Sequence, residues 1–137
     1  MMIITDIITG FPEETDEDHQ DTVDLLNALS PDLVNVTRFS PRKGTPASKY
    51  RRVNGRTVKK RSRELTNLRK ELGAKSFKRF VGRQTSILTV ENQKKGSTLC
   101  RDDNYRPIIL KKELPIGEFY DVKITDSEYG FMTAVLV

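Results

Sequence analysis

The 137-residue chain has no tryptophan, one cysteine (Cys100) and one histidine (His19). A single cysteine forms no internal disulfide and fits a reducing compartment, so a cytoplasmic location is expected. One Cys with one His makes no zinc or iron–sulfur ligand set, and no metal site is expected. Long apolar runs are missing as well. Nowhere do about 18 apolar residues follow one another, which excludes a spanning helix. The start, Met1-Met2-Ile3-Ile4-Thr5-Asp6, lacks the basic region of a signal peptide. Hydrophobic residues are 36% of the chain, so the core of its one ordinary domain, or two very small ones, is lean.

What the chain has in quantity is separated charge. Residues 42–83 hold sixteen Lys or Arg against Glu64 and Glu71, whereas residues 1–41 hold one Arg against nine acids. A cationic belt of that density repels itself unless acids within the fold or an external polyanion neutralise it, and a polyanion gains counterion release at each phosphate met. Lys59, Lys60, Arg61 and Arg63 are the centre of this belt, and nucleic acid is the partner it suggests.

Ile3–Ile8 is short, β-branched and almost wholly apolar, as in a strand buried on both faces. Thr15 with Asp18 three residues on makes a capping box, and Val23, Leu26 and Leu29 continue at helical spacing to Ser30-Pro31. Leu33–Phe39 reads as a second strand, giving a β-α-β crossover unit. Two parallel strands and one helix cannot close a core. Residues 1–40 are therefore expected to belong to a larger sheet, or to meet a partner subunit or a second copy through the open sheet. A loop rich in Pro and Gly runs to Gly55. A basic helix is expected from Arg56 to Phe80, with Val58, Leu65, Leu68 and Leu72 as its apolar stripe, Phe77 and Phe80 extending it, and Gly73 as a point of interruption or bending at a cost of about 1 kcal/mol relative to Ala.

From Gln84 the pattern changes to five short strands separated by turns, predicting a small antiparallel barrel over residues 81–137. His19, among Asp16, Glu17, Asp18 and Asp21, has no second metal ligand and is expected on a solvated helix face. Cys100 has no His placed to activate it and reads as a small strand residue. Around the barrel, Arg101, Arg106, Lys111 and Lys112 are phosphate-binding candidates, Lys94 and Lys95 sit on a turn that could reach a backbone or be only a charged tip, and Tyr105 could stack on an unpaired base or half-bury its ring in the barrel. Lys78, Arg79 and Arg83 stand where the helix meets the barrel.

Three stretches carry a resemblance. Thr5-Asp6-Ile7-Ile8-Thr9-Gly10-Phe11-Pro12-Glu13-Glu14-Thr15, followed by Val34–Ala47 with its Ser40-Pro41-Arg42-Lys43-Gly44-Thr45-Pro46 loop, resembles a late strand and loop of the radical S-adenosylmethionine tRNA methylthiotransferases. Asp102-Asp103-Asn104-Tyr105-Arg106-Pro107 resembles the TRAM domain that ends those enzymes. The nearest branch is the archaeal and eukaryotic type acting on threonylcarbamoyl-adenosine in the anticodon loop.

The resemblance implies an α+β chain in three parts: residues 1–55 as a C-terminal remnant of the radical S-adenosylmethionine barrel, 56–80 as a basic connecting helix, and 81–137 as an OB-like TRAM barrel holding the anticodon arm of tRNA. It also implies that Gly10, Asn35, Arg38 and Ser40 border an S-adenosylmethionine site in a complete barrel. Otherwise Gly10 only turns the chain, and Arg38 only pairs with a nearby acid. The family's chemistry needs S-adenosylmethionine and iron–sulfur clusters held by a CxxxCxxC motif, which this sequence lacks. No catalytic residue, no bound cofactor and no turnover are expected of the chain alone. A free-standing RNA-binding accessory and a protein-interaction fragment remain open beside that reading.

Overall fold

The structure, a computed structural model, describes residues 1–93 and 96–137. It divides into two compact units, one of Ile4–Leu72 and one of Met1–Ile3 with Gly73–Val137.

The first unit contains β1 (Ile4–Thr9), α1 (Asp16–Leu29) and β2 (Leu33–Arg38), with residues 55–72 of the long helix α2 (Gly55–Lys78). The two strands pair in parallel, Ile4 opposite Leu33 and Thr9 opposite Arg38. At the start of α1, Thr15 Oγ1 accepts the Asp18 amide at 3.1 Å and Asp18 Oδ2 accepts the Thr15 amide at 2.8 Å. This is the capping box that the spacing predicted. Leu26, Val34 and Leu65 form the buried centre, with Ile7, Val23, Val36, Leu68 and Leu72 against it. One face of the small sheet is thereby covered. The alternation of β1 leaves Ile4 and Ile8 on the other face, 52% and 59% exposed.

Gly10 follows β1 at φ +74°, and a Cβ there would lie 2.7 Å from a Val58 methyl on α2. Backbone and packing both require glycine at that position. The helix passes Gly73 without a break, contrary to the interruption expected there.

The second unit is a closed barrel in the order β3-β4-β5-β7-β6. Its strands are β3 (Gln84–Gln93), β4 (Ser97–Arg101), β5 (Pro107–Leu110), β6 (Phe119–Glu128) and β7 (Phe131–Leu136). Four neighbouring pairs are antiparallel, and β5 pairs with β7 in parallel. The barrel is therefore mixed, not antiparallel as expected. The reason is parity: directions cannot alternate around a closed ring with an odd number of strands, so one pair must run parallel. Register shifts at Thr89/Glu91 and Ile124/Asp126 bend the two long strands, as bulges do where a small barrel turns its corners.

Ile87, Cys100, Ile108, Leu110, Val122, Ile124, Met132 and Ala134 are the buried apolar residues of the strands. Two buried threonines pin the loop after β5. Thr98 Oγ1 lies 2.8 Å from the Lys112 carbonyl and accepts the Leu114 amide at 3.0 Å. Thr89 Oγ1 lies 2.7 Å from the Pro115 carbonyl and accepts the Glu118 amide at 3.0 Å. Among the described residues, no helix is long and apolar enough to cross a membrane.

Candidate nucleic-acid interface

The strongest concentration of basic side chains in the barrel unit surrounds one ring. Phe80 lies just past the end of α2, and the guanidinium carbons of Arg106, Arg79 and Arg83 stand 4.1, 4.9 and 5.4 Å from its centroid. Such stacking holds cations beside one another by their attraction to the ring face. Arg106 is buried and gives Nη1 to Asp102 Oδ2 at 2.9 Å, whereas Arg79, Arg83 and Lys78 are exposed. Lys111 and Lys112 are exposed on the loop that Thr98 and Thr89 anchor. They line a cleft of about 400 Å³ with Leu110, Thr125, Thr133 and Ala134.

The turn between β4 and β5 presents Tyr105, 68% exposed, with φ at +65°. Arg101 stacks 4.5 Å over its ring and donates Nη1 to its carbonyl at 3.1 Å. Asp102 Oδ1 accepts the amides of Asn104 and Arg106 at 3.0 and 2.8 Å, which closes the turn. Asn104 thus serves the turn, as its residue type suggests. Lys94 and Lys95 lie outside the described residues.

In the other unit the basic helix divides into two populations. Lys59, Lys60 and Arg63 are exposed. Arg61, grouped with them by sequence, is only 5% exposed and binds Glu14 Oε1 at 2.6 Å and Asp16 Oδ1 at 2.7 Å. Its charge is engaged inside the fold. Although burial opposes it, these two carboxylates raise the Arg61 pKa. The Arg61 hydrogen bond and charge hold Asp16 below the usual carboxylate value. His19 is 8% exposed and its Nε2 lies 3.0 Å from Glu64 Oε2. It is therefore a buried residue between α1 and α2, not the solvated one expected.

The residues proposed for a cofactor separate. Arg38 and Ser40 line a cleft of about 350 Å³ at the C-terminal end of the strands, with Ile8, Thr37, Phe39 and Arg42. Asn35 lies on the exposed sheet face and donates Nδ2 to Asp6 Oδ1 at 2.7 Å. Gly10 is committed to Val58. Among the described residues, no group of three or more His, Cys, Asp or Glu side chains is placed to hold a metal ion.

Sequence reasoning placed Phe80 on the apolar stripe of the helix, without the arginines that surround it, and gave no role to Phe119. Phe119 is 72% exposed although it opens a strand whose Val122 and Ile124 are buried. Period-two alternation from those residues places Phe119 outward and was there to be read.

Residues 78–137, which hold the closed barrel, match the TRAM domain family. Over nearly its whole length the chain is similar to the C-terminal part of tRNA methylthiotransferases. It is 41% identical over 136 residues to a protein of Archaeoglobus fulgidus named "Probable threonylcarbamoyladenosine tRNA methylthiotransferase", covering 99% of this chain and 32% of that one. A protein of the same name from Methanocaldococcus jannaschii is 38% identical over 124 residues, covering 90% of this chain and 28% of the other. The tRNA-2-methylthio-N(6)-dimethylallyladenosine synthase of Bacillus velezensis is 41% identical over 138 residues, covering 98% and 27%. The chain thus spans about a third of the length of these curated archaeal relatives.

Proposed function

We propose that this chain holds tRNA by its anticodon arm, as the C-terminal part of a methylthiotransferase that acts on threonylcarbamoyl-adenosine beside the anticodon. The observation that carries the reading is the coincidence of the TRAM match with exposed cations on that same unit: Lys78, Arg79, Arg83, Lys111 and Lys112. Arg101 and Tyr105 add a stacked cation and ring, and the exposed Lys59, Lys60 and Arg63 of the other unit are further phosphate-contact candidates. Arg61 and Arg106 act by holding structure, because each is buried against a carboxylate.

The parallel pair β1 and β2 fits the last strands of a radical S-adenosylmethionine barrel, with Arg38 and Ser40 at its ligand-binding end. The residues present do not fit an iron–sulfur cluster. The lone thiol, Cys100, is fully buried and burial pushes its pKa up to about 11, so it is neither reachable nor readily the thiolate a cluster needs. The reading assigns substrate holding to this chain, and the chemistry to cysteines it does not contain.

A titration of the full chain with tRNA and with the isolated anticodon arm, at two salt concentrations, tests the reading. About six phosphate contacts in single-stranded RNA predict a log–log salt slope near −4, since each contributes about −0.7. Salt-independent binding, or none, contradicts it. A second reading, pairing of the open sheet with another subunit or a second copy, is favoured by exposed Ile4 and Ile8. A stable dimer lost on Ile4→Lys with Ile8→Lys would support it.

A further inference from the structure

We propose that the outer face of the barrel carries an aromatic cleft, walled by Tyr105 and Phe119, that receives one unpaired RNA base. The proposal rests on the RNA-binding reading and deepens it by naming the part of the RNA that enters. Burial of Ile87 and Thr89 puts Ser86, Leu88 and Val90 on the outside of β3. Leu88 is the register partner of both Arg101 on β4 and Phe119 on β6. Arg101, Leu88 and Phe119 therefore form a row across three strands. With Val90, Asp103 and Tyr105 they border a cleft of about 260 Å³. Leu88 and Val90 make its floor apolar, and Tyr105 and Phe119 are 68% and 72% exposed as residues.

Tyr105 is held in place at some strain. A bulky residue at φ +65° is uncommon, and it persists where the surroundings over-determine it. Here its amide donates to the Asp102 carbonyl at 2.9 Å, and Arg101 grips its carbonyl while stacking on its ring. An exposed ring fixed in this way loses little freedom on meeting a flat partner. The exposed Asp103 carboxylate at the rim repels phosphate and accepts N–H groups. It bonds Asn104 Nδ2 at 2.7 Å and has lone pairs to spare. The apolar floor and the two rings therefore suit a base, while Arg101 at the border is engaged with Tyr105. The cleft favours bases with an exocyclic amine, whose edge donates to a carboxylate, over uracil.

The test uses the full chain and oligonucleotides of about ten residues, within the range a small barrel binds, of C, A or U and hence equal charge. Tyr105→Gly, which removes ring and strain together, and Phe119→Thr, which keeps a strand former, are each expected to weaken C and A oligomers roughly 5- to 100-fold, the loss of one stacked base. The salt slope should stay unchanged and Tyr105→Phe should retain binding. Asp103→Asn should narrow the gap between C or A and U. Variants that bind as the wild type does, in a salt-dependent manner, would overturn the cleft and leave the RNA-binding reading standing. A wild type that binds no RNA in dilute buffer would overturn both. Variants that change only self-association would make the cleft a protein contact and overturn it as well.

Discussion

Asp102 and Arg106 bracket the β4–β5 turn as an ion pair, Oδ2 to Nη1 at 2.9 Å, with side chains 4% and 9% exposed. Arg106 also stacks on Phe80, so one carboxylate orients both the turn that presents Tyr105 and the arginine cluster at the end of α2. Asp102→Ala leaves a buried guanidinium unpaired and two amides without an acceptor. The expected loss is about 3 kcal/mol of barrel stability, read as a lower urea midpoint. Asp102→Asn, which keeps the amide bonds, should lose less.

Gly10→Ala should destabilise the Ile4–Leu72 unit by about 1–3 kcal/mol, from the positive φ and from the clash with Val58. Hydrogen exchange of the β1 and β2 amides measures it locally. Val58→Ala in the same chain should recover the part due to the clash, and a fully additive pair would refute the contact.

Arg61 and its neighbours should behave oppositely. Arg61→Ala strands Glu14, whose side chain is 13% exposed, and should unfold more readily, with a cost of about 2–4 kcal/mol. Charge reversal of Lys59, Lys60 and Arg63 should leave stability nearly unchanged and reduce the salt slope of RNA binding by about 2, at about 0.7 per lost phosphate contact. The reverse assignment would place the RNA elsewhere.

Acid should act on this unit through Asp16, whose pKa the Arg61 hydrogen bond lowers from 3.8. A carboxylate held below its unfolded value contributes stability that is complete above that value and lost as pH falls through the folded one. Stability should therefore decline below about pH 4, and Asp16→Asn should flatten that part of the profile in a pH series of thermal melts. An unchanged profile would mean that the exposed carboxylate contributes nothing.

Local signals were legible in the sequence. Thr15 and Asp18 announced the start of α1, and the strand read over Leu33–Phe39 runs from Leu33 to Arg38. What escaped depends on chain-distant partners. His19 is buried because Glu64, 45 positions away, meets it, and its acidic neighbours gave no hint of that. Arg61 escaped for a different reason, since charge was counted without regard to face. It lies three residues after Val58 and four before Leu65, on the same helical stripe as the core leucines. The parallel β5–β7 pair was implied once five strands were closed into a ring. Phe119 followed from alternation in β6, but exposed aromatics are hard to tell from core by residue type alone.

Titration of the full chain with tRNA at low and moderate salt is the most direct test of RNA holding by the barrel and basic helix. The account predicts binding that weakens steeply with salt, and a weaker slope after reversal of Lys59, Lys60 and Arg63. Affinity that is absent in dilute buffer, or indifferent to both salt and those charges, would contradict it.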